Sequence, residues 1–272
     1  MPETGLSAKV RLIALDLDGT TLTSERRIHP RNAGAIARAR AAGATVVLAS
    51  GRIRPSMAPF ARELGLGAGP LICSNGAHIV DADGSNLAVE YLGAQARNTI
   101  IDYALSQGFH LNGYTTDQMF YLDESPWLEL YRTRAKTIPT ERIGLEAMRA
   151  LDAIKLMIIA EPGKIKELAT RGHALFNPAE VALTESEPEY LEFLPRMANK
   201  GAALQRLAAH LGLDRDAVMA VGDYLNDVEM VAWAGHGVAM GNAMPEVKCV
   251  AARVVGDNNE GGVADAIEYV LQ

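Results

Sequence analysis

Short apolar runs alternate with amphipathic segments at both ends of this chain, and the alternation lapses in the middle. A strand that is apolar throughout needs cover on both faces, which helices on either side of a parallel sheet provide. Residues 10–15 read as such a strand, 30–42 as a helix with proline in its first turn and Gly43 closing it, 45–49 as the next strand, and 55–64 as the next helix, ended at Gly65. Residues 71–74 form a third strand running into Asn75-Gly76, a turn signal. Past the middle the rhythm returns. Leu204, Leu207, Ala208 and Leu211 share one helical face, 217–221 is a strand, 227–234 a helix, 237–240 and 250–255 are strands, and 263–271 is a closing helix.

Between these halves, residues 88–92, 110–114, 119–122, 154–159, 181–184 and 190–193 read as strands, with helices at 96–107, 126–135 and 162–171. Mixed elements without strict alternation predict an α+β insert of roughly a hundred residues, an ordinary domain size. The expected fold class is α/β with an inserted second domain. The 272 residues have room for both.

Composition narrows the partners. A formal net charge of -7 favours neither nucleic acid nor anionic lipid, and makes a cation the more natural guest. Cys73 and Cys249 match no zinc or redox spacing, so they read as buried apolar thiols in a reducing cytosol. The stretch 1–11 lacks a basic segment followed by an apolar run, and no apolar run approaches the ~18 residues that span a bilayer. The expectation is a cytoplasmic protein with no membrane, nucleic-acid or obligate protein partner, acting on a small molecule.

The chemically loaded residues stand where apolar strands end, the edge at which open α/β sheets hold their ligands. After 10–15 comes Asp16-Leu17-Asp18-Gly19-Thr20. Two aspartates flanking one residue point the same way from extended backbone, and a divalent cation removes their mutual repulsion. After 45–49 comes Ser50-Gly51-Arg52, where a hydroxyl and a backbone N–H beside a glycine make a small cradle for an anion. Lys200 opens a helix, where its charge opposes the dipole and a phosphate or carboxylate partner would explain it. After 217–221 comes Gly222-Asp223-Tyr224-Leu225-Asn226-Asp227, which adds two acids of the hard-oxygen type that Mg²⁺ takes. Asp227 is equally readable as a helix N-cap or a metal contact, whereas Asp223 has no capping role and is the better ligand. Each site alone has an ordinary explanation as a turn, a cap or a solvated lysine. Four in sequence ask for one explanation.

In these motifs, and in Ser74-Asn75-Gly76-Ala77, Gly241-Asn242-Ala243 and Asn259-Glu260-Gly261-Gly262-Val263-Ala264, the chain resembles the haloacid dehalogenase-like hydrolases of the Cof type. The resemblance covers nearly the whole chain and departs at Thr21, where the family usually carries an apolar residue. It implies a Rossmann-like parallel-sheet core over 1–82 and 190–272, and an α/β cap over 83–189 that chooses the substrate. It implies an Mg²⁺-dependent phosphatase in which Asp16 is nucleophile and metal ligand, and Asp18 is general acid and base with its carbonyl on the metal. Ser50, Gly51 and Lys200 would hold the phosphoryl group, with Lys200 also screening Asp16. Asp223 would be a second metal ligand, Asn226 would orient phosphate or a metal-bound water, and Asp227 and Asn75 would support the loops. Tyr114, Tyr121, Trp127 and Arg132 are candidate substrate contacts in the insert, although aromatics there more often build core. A phosphomutase or phosphotransferase would use the same phospho-aspartate. A signalling receiver would share the metal and lysine, but it needs no insert and carries its reactive aspartate on a later strand.

Overall fold

The computed structural model describes residues 10–135 and 137–271, so most of the stretch read for a leader, residues 1–9, lies outside the described residues. In chain order the strands are β1 (Leu12–Asp16), β2 (Thr45–Ala49), β3 (Leu71–Cys73), β4 (His78–Val80), β5 (Asn86–Val89), β6 (His110–Tyr114), β7 (Met119–Tyr121), β8 (Thr140–Arg142), β9 (Lys155–Ile159), β10 (Val181–Glu187), β11 (Tyr190–Pro195), β12 (Val218–Gly222), β13 (His236–Ala239) and β14 (Arg253–Val254). The α-helices are α1 (Pro30–Ala41), α2 (Arg54–Glu63), α3 (Ala94–Gln107), α4 (Pro126–Arg134), α5 (Leu145–Ala150), α6 (Pro162–Leu175), α7 (Lys200–His210), α8 (Val228–Trp233), α9 (Pro245–Val250) and α10 (Gly262–Val270). Among the described residues, no helix is long and apolar enough to cross a membrane.

The chain divides into two compact units. The first takes residues up to Ser50, Met57–Leu87 and Asn199 onward. It is built on an eight-stranded sheet of order β14-β13-β12-β1-β2-β3-β4-β5. Its pairs from β14 across to β3 are parallel, and β4 turns back antiparallel to β3. The central strands β1 and β12 are buried at every position, as continuous apolar runs require. Side chains from β1, β2 and β12 pack with Ile36 and Ala39 of α1 and with Ala266, Ile267 and Val270 of α10 in one apolar core. The register sets Leu15 beside Val221 and Asp16 beside Ala49. The carboxyl ends of β12, β1 and β2 therefore stop at one level, and the residues that follow them leave the sheet together.

The second unit takes Gly51–Ser56 and Ala88–Ala198, around a six-stranded sheet of order β10-β11-β9-β6-β7-β8. All its pairs are antiparallel except β7 with β8. Strand alternation gives this sheet two unlike faces. Leu111, Leu156, Ile158, Leu191 and Phe193 belong to an apolar cluster with Ile100 and Ile101 of α3 and Ile165 of α6. The alternate positions are Asn112, Tyr114, Lys155, Met157 and Glu192, a face on which polar groups are buried. The Tyr131 ring of α4 lies 6.2 Å from that of Tyr114, nearly edge-on.

Four expectations need correction. Of the two cysteines expected to be buried, Cys73 is, but Cys249 is exposed on α9. The return to the core was placed at residue 190, but β11 pairs with β9 and β10, and the second unit runs to Ala198. The strand expected in the insert at 88–92 is β5 at Asn86–Val89, an edge of the eight-stranded sheet. The strand expected at 250–255 is only Arg253–Val254, because Pro245 starts α9, which continues to Val250. Strands β4 and β8 and helix α5 are additions.

Candidate active site

Asp16 closes β1 and is 5% exposed. Its backbone carbonyl accepts the Thr21 N–H at 3.2 Å and the Thr21 hydroxyl at 2.6 Å, so the chain after β1 curls back on its own origin. Thr21, the position where the sequence departs from the family, thus has a buried role for its hydroxyl. Inside this curl Gly19 stands at φ +81°, and a Cβ there would meet a carboxylate oxygen of Asp223 at 2.4 Å. Both the left-handed backbone and the close approach require glycine. The Thr20 hydroxyl donates to Asp223 Oδ1 at 2.6 Å, and the Asn242 side chain donates to the Gly19 carbonyl at 2.8 Å. These bonds join the loop after β1 to the loops after β12 and β13.

Lys200 is 1% exposed at the first position of α7, which Asn199 caps through the Ala202 N–H at 2.6 Å. Its Nζ donates to Asp16 Oδ1 and to Asp227 Oδ1, both at 2.6 Å. The partner that the helix dipole demanded is therefore a pair of carboxylates. Burial works against the ammonium, and the two carboxylates overcome it and hold Lys200 above the ordinary lysine range. Asp227 uses its other oxygen, Oδ2, to accept the N–H groups of Asp223 at 2.9 Å and Tyr224 at 3.1 Å. Asp227 thus ties the Lys200 ammonium through one oxygen and the loop after β12 through the other.

Asp16, Asp223 and Asp227 are all buried, with one carboxylate oxygen from each lying within 4.8 Å of the others. Three carboxylates face a single ammonium. At such spacing a like-charge pair repels by about 4 kcal/mol in an effective dielectric near 20. Burial, reinforced by the negative charges of Asp227 and Asp223, pushes Asp16 well above the ordinary carboxylate range despite Lys200. Asp223 is pushed up to about 6, chiefly by burial and then by Asp227, against the pull of the Thr20 hydrogen bond and Lys200. A hard divalent cation with oxygen ligands removes this excess, so the donor set fits Mg²⁺.

The second and third loops meet these through backbone. Ser50, 2% exposed, donates its N–H to Ile72 O at 2.9 Å, and its carbonyl accepts the Asn75 N–H at 3.0 Å. Asn75 stands in left-handed backbone at φ 53°, and its side-chain oxygen accepts from Asn226 Nδ2 at 2.9 Å. One strained turn therefore connects the loop after β2 to the loop after β12. Gly51 offers its carbonyl to Lys155 Nζ at 3.1 Å, within the second unit. Asp18 is exposed in the curl after β1, beside the isolated bridge from Asp18 to Leu22.

The structure thus brings Asp16, Lys200, Asp223 and Asp227 into one cluster and ties Ser50, Asn75 and Asn226 to each other. Sequence reading did not assign roles to Thr20, Asn199 or Asn242. The first is the hydroxyl of the loop motif, the second is the residue type that caps helices, and the third lies in the Gly-Asn-Ala motif of the tail. Of the candidate contacts in the insert, Tyr114 is buried, Trp127 half-buried, and Tyr121 bonds Glu124 at 2.7 Å while Arg132 holds Glu124 and Glu129. Arg132 and Tyr121 are thereby committed to their own unit.

The sequence matches the family model described as haloacid dehalogenase-like hydrolase over residues 13–267. It is similar to the HMP-PP phosphatase of Serratia proteamaculans, 31% identical over 271 residues that cover 96% of this chain and 96% of that protein. It is also similar to the pyridoxal phosphate phosphatase of Escherichia coli, 30% identical over 268 residues, or 94% of this chain and 97% of that one. Among solved structures, a haloacid dehalogenase-like hydrolase from Bacteroides thetaiotaomicron aligns with a TM-score of 0.83 at 29% identity, covering 96% of this chain and all 100% of that chain.

Proposed function

The chain belongs to the haloacid dehalogenase-like hydrolases, and from that premise we propose that it is a phosphatase of small phosphomonoesters working through a phosphorylated Asp16. What carries this reading is the Asp16 carboxylate, buried and 2.6 Å from the Lys200 ammonium, inside a cluster of three acids. One Asp16 oxygen attacks phosphorus, a P–O bond to Asp16 forms, and the P–O bond to the alcohol breaks. Asp18, exposed in the loop after β1, gives the leaving oxygen its proton. It then takes a proton from the water that attacks the Asp16-phosphate, releasing inorganic phosphate and restoring both carboxyl groups. Lys200 offsets charge on Asp16 before attack and on the phosphoryl oxygens afterwards. Ser50 and the backbone N–H groups that follow it receive phosphoryl oxygens, and Asn226, held by Asn75, orients them.

Asp16 and Asp223 would hold Mg²⁺ with their side chains and Asp18 with its carbonyl, while Asp227 supports them through Lys200 and the loop N–H groups. When bound, the ion supplies positive charge against which a dianionic phosphate and a carboxylate can approach each other. The names of the relatives favour hydrolysis over mutase chemistry and make phosphorylated heterocycles, pyridoxal phosphate among them, good first substrates alongside sugar phosphates. The test is a panel of phosphomonoesters assayed for phosphate release with Mg²⁺ and with chelator, on wild type and Asp16→Asn. Release that depends on both the ion and Asp16 is the expected result. Full activity in Asp16→Asn would remove the reading.

A further inference from the structure

The second unit contains a buried ion pair that the mechanism leaves unused. Lys155 and Glu192 have side chains only 5% exposed each, and Lys155 Nζ lies 3.1 Å from Glu192 Oε1. A buried pair of this kind stabilises a fold little better than two apolar side chains, so stability alone does not account for it. What the ammonium touches does. Its three N–H groups have three destinations: the Glu192 carboxylate, the face of the Tyr114 ring with its centroid at 4.7 Å, and the Gly51 carbonyl at 3.1 Å, 104 residues away in sequence. Glu192 Oε1 also accepts the Ser186 hydroxyl at 3.0 Å, which fixes the carboxylate that fixes the lysine.

Gly51 follows Ser50 directly, and as a glycine it has the widest backbone freedom of any residue. The peptides on its two sides are each held by their carbonyls. The Ser50 carbonyl accepts the Asn75 N–H at 3.0 Å, and the Gly51 carbonyl accepts Lys155. A trans peptide is planar with its N–H opposed to its C=O, so fixing a carbonyl aims the N–H of the next residue. Asn75 aims the Gly51 N–H, and Lys155 aims the Arg52 N–H. The same segment is tied a second time, three residues beyond Gly51, where Arg54 Nε donates to Asp117 Oδ1 at 2.7 Å.

We propose that Lys155, held by Glu192, is a positioning residue for the phosphoryl site: it fixes the peptide after Gly51, so that the backbone donors following Ser50 face a transferring phosphoryl group. This rests on the reading that Ser50 and Gly51 bind phosphoryl oxygens. It makes Lys155 a residue that touches no substrate yet governs transition-state binding for every substrate alike.

The test compares full-length wild type with the double variant Lys155→Met, Glu192→Leu, which removes the anchor without leaving a buried charge unpaired. Inhibition by orthovanadate in the presence of Mg²⁺ reads phosphoryl-site geometry without any leaving group, and a phosphomonoester panel reads kcat and KM. Losing one charge-assisted bond predicts a loss of about 10–100-fold in kcat/KM. The loss should be uniform across the panel, with a matching rise in the vanadate inhibition constant and a Tm near wild type. Lys155→Arg, which keeps a donor for the carbonyl, should restore most of both. A lower Tm with unchanged vanadate inhibition would make the pair structural only, and a loss that varies strongly among substrates would make it a direct substrate contact; either overturns the proposal. If the apolar pair does not fold, Lys155→Gln with Glu192→Gln removes the charges at near-native length and is judged by the same readouts. Ser50→Ala, run alongside, separates the two readings. Should it leave vanadate inhibition and kcat unchanged, the phosphoryl-site reading itself fails; should it weaken both while the double variant does not, only the role of Lys155 fails.

Discussion

Among the described residues two lysines are buried, one in each unit, and their surroundings differ in charge balance. Lys155 meets one carboxylate, one carbonyl and one ring face. Lys200 meets two carboxylates, with a third within 4.8 Å of both. The first arrangement balances in charge, although the second Glu192 oxygen is buried without a hydrogen-bond partner. The second sets three carboxylates against one ammonium, and under the proposed function that excess of acid is what a cation and a reacting group would offset. Burial by itself does not tell architecture from chemistry; the uncancelled charge does.

The contrast can be broken most directly at Asp16. Asp16→Asn should cost on the order of 10⁴-fold or more in kcat, because the attacking group is gone. Its Tm should hold or rise, because one of three crowded carboxylates has become neutral; a fall in Tm with retained turnover would reverse the assignment. Asp18→Asn should lower kcat by about 10²–10⁴-fold, because its proton transfer is lost, and should move Tm far less than a change at a buried carboxylate, since Asp18 is exposed. Lys200→Met should lower kcat/KM by about 10²–10³-fold. Unlike the other two it should also destabilise, by about 3–5 kcal/mol in denaturant titration, since two buried carboxylates lose their partner.

The finest probe of the same contrast is pH. Asp16 and Asp223 have folded-state values raised above the unfolded ones, so without metal the folded protein binds more protons than the unfolded chain. The charge of Asp223 then costs stability progressively as pH rises from near 4 through about 6, and that of Asp16 costs stability over the range up to its own raised value. The Tm gain on adding Mg²⁺ should therefore be larger at pH 7.5 than at pH 5. An equal gain at both, measured by differential scanning calorimetry, would detach these two acids from the ion.

Much of the core was legible because its parallel strands are buried on both sides, leaving apolar runs, of which 45–49 matches its strand to the residue. The acids were legible because they follow those runs. What escaped had no comparable signal. Strand β8, Thr140–Arg142, is polar and mostly exposed. Residues 190–193 read as a strand, but nothing in their local pattern says which sheet they join; that is decided by pairing with β9, a long-range choice. Thr20 passed as part of a loop motif because a hydroxyl gains its meaning only when Asp223, 203 residues away, comes within 2.6 Å. Lys155 had a signal that was not used: a lysine inside the apolar run Ile154–Ile159 must find a buried partner.

The passage of the chain from one unit to the other between Ser50 and Gly51 bears on how such enzymes can be recombined. A chimera that imports only residues 88–198 from a relative would keep the native Gly51–Ser56 and present it with a foreign lysine, carboxylate and aspartate. The exchangeable module is two pieces of chain, and the shorter one, six residues long, decides whether the larger one arrives in working order.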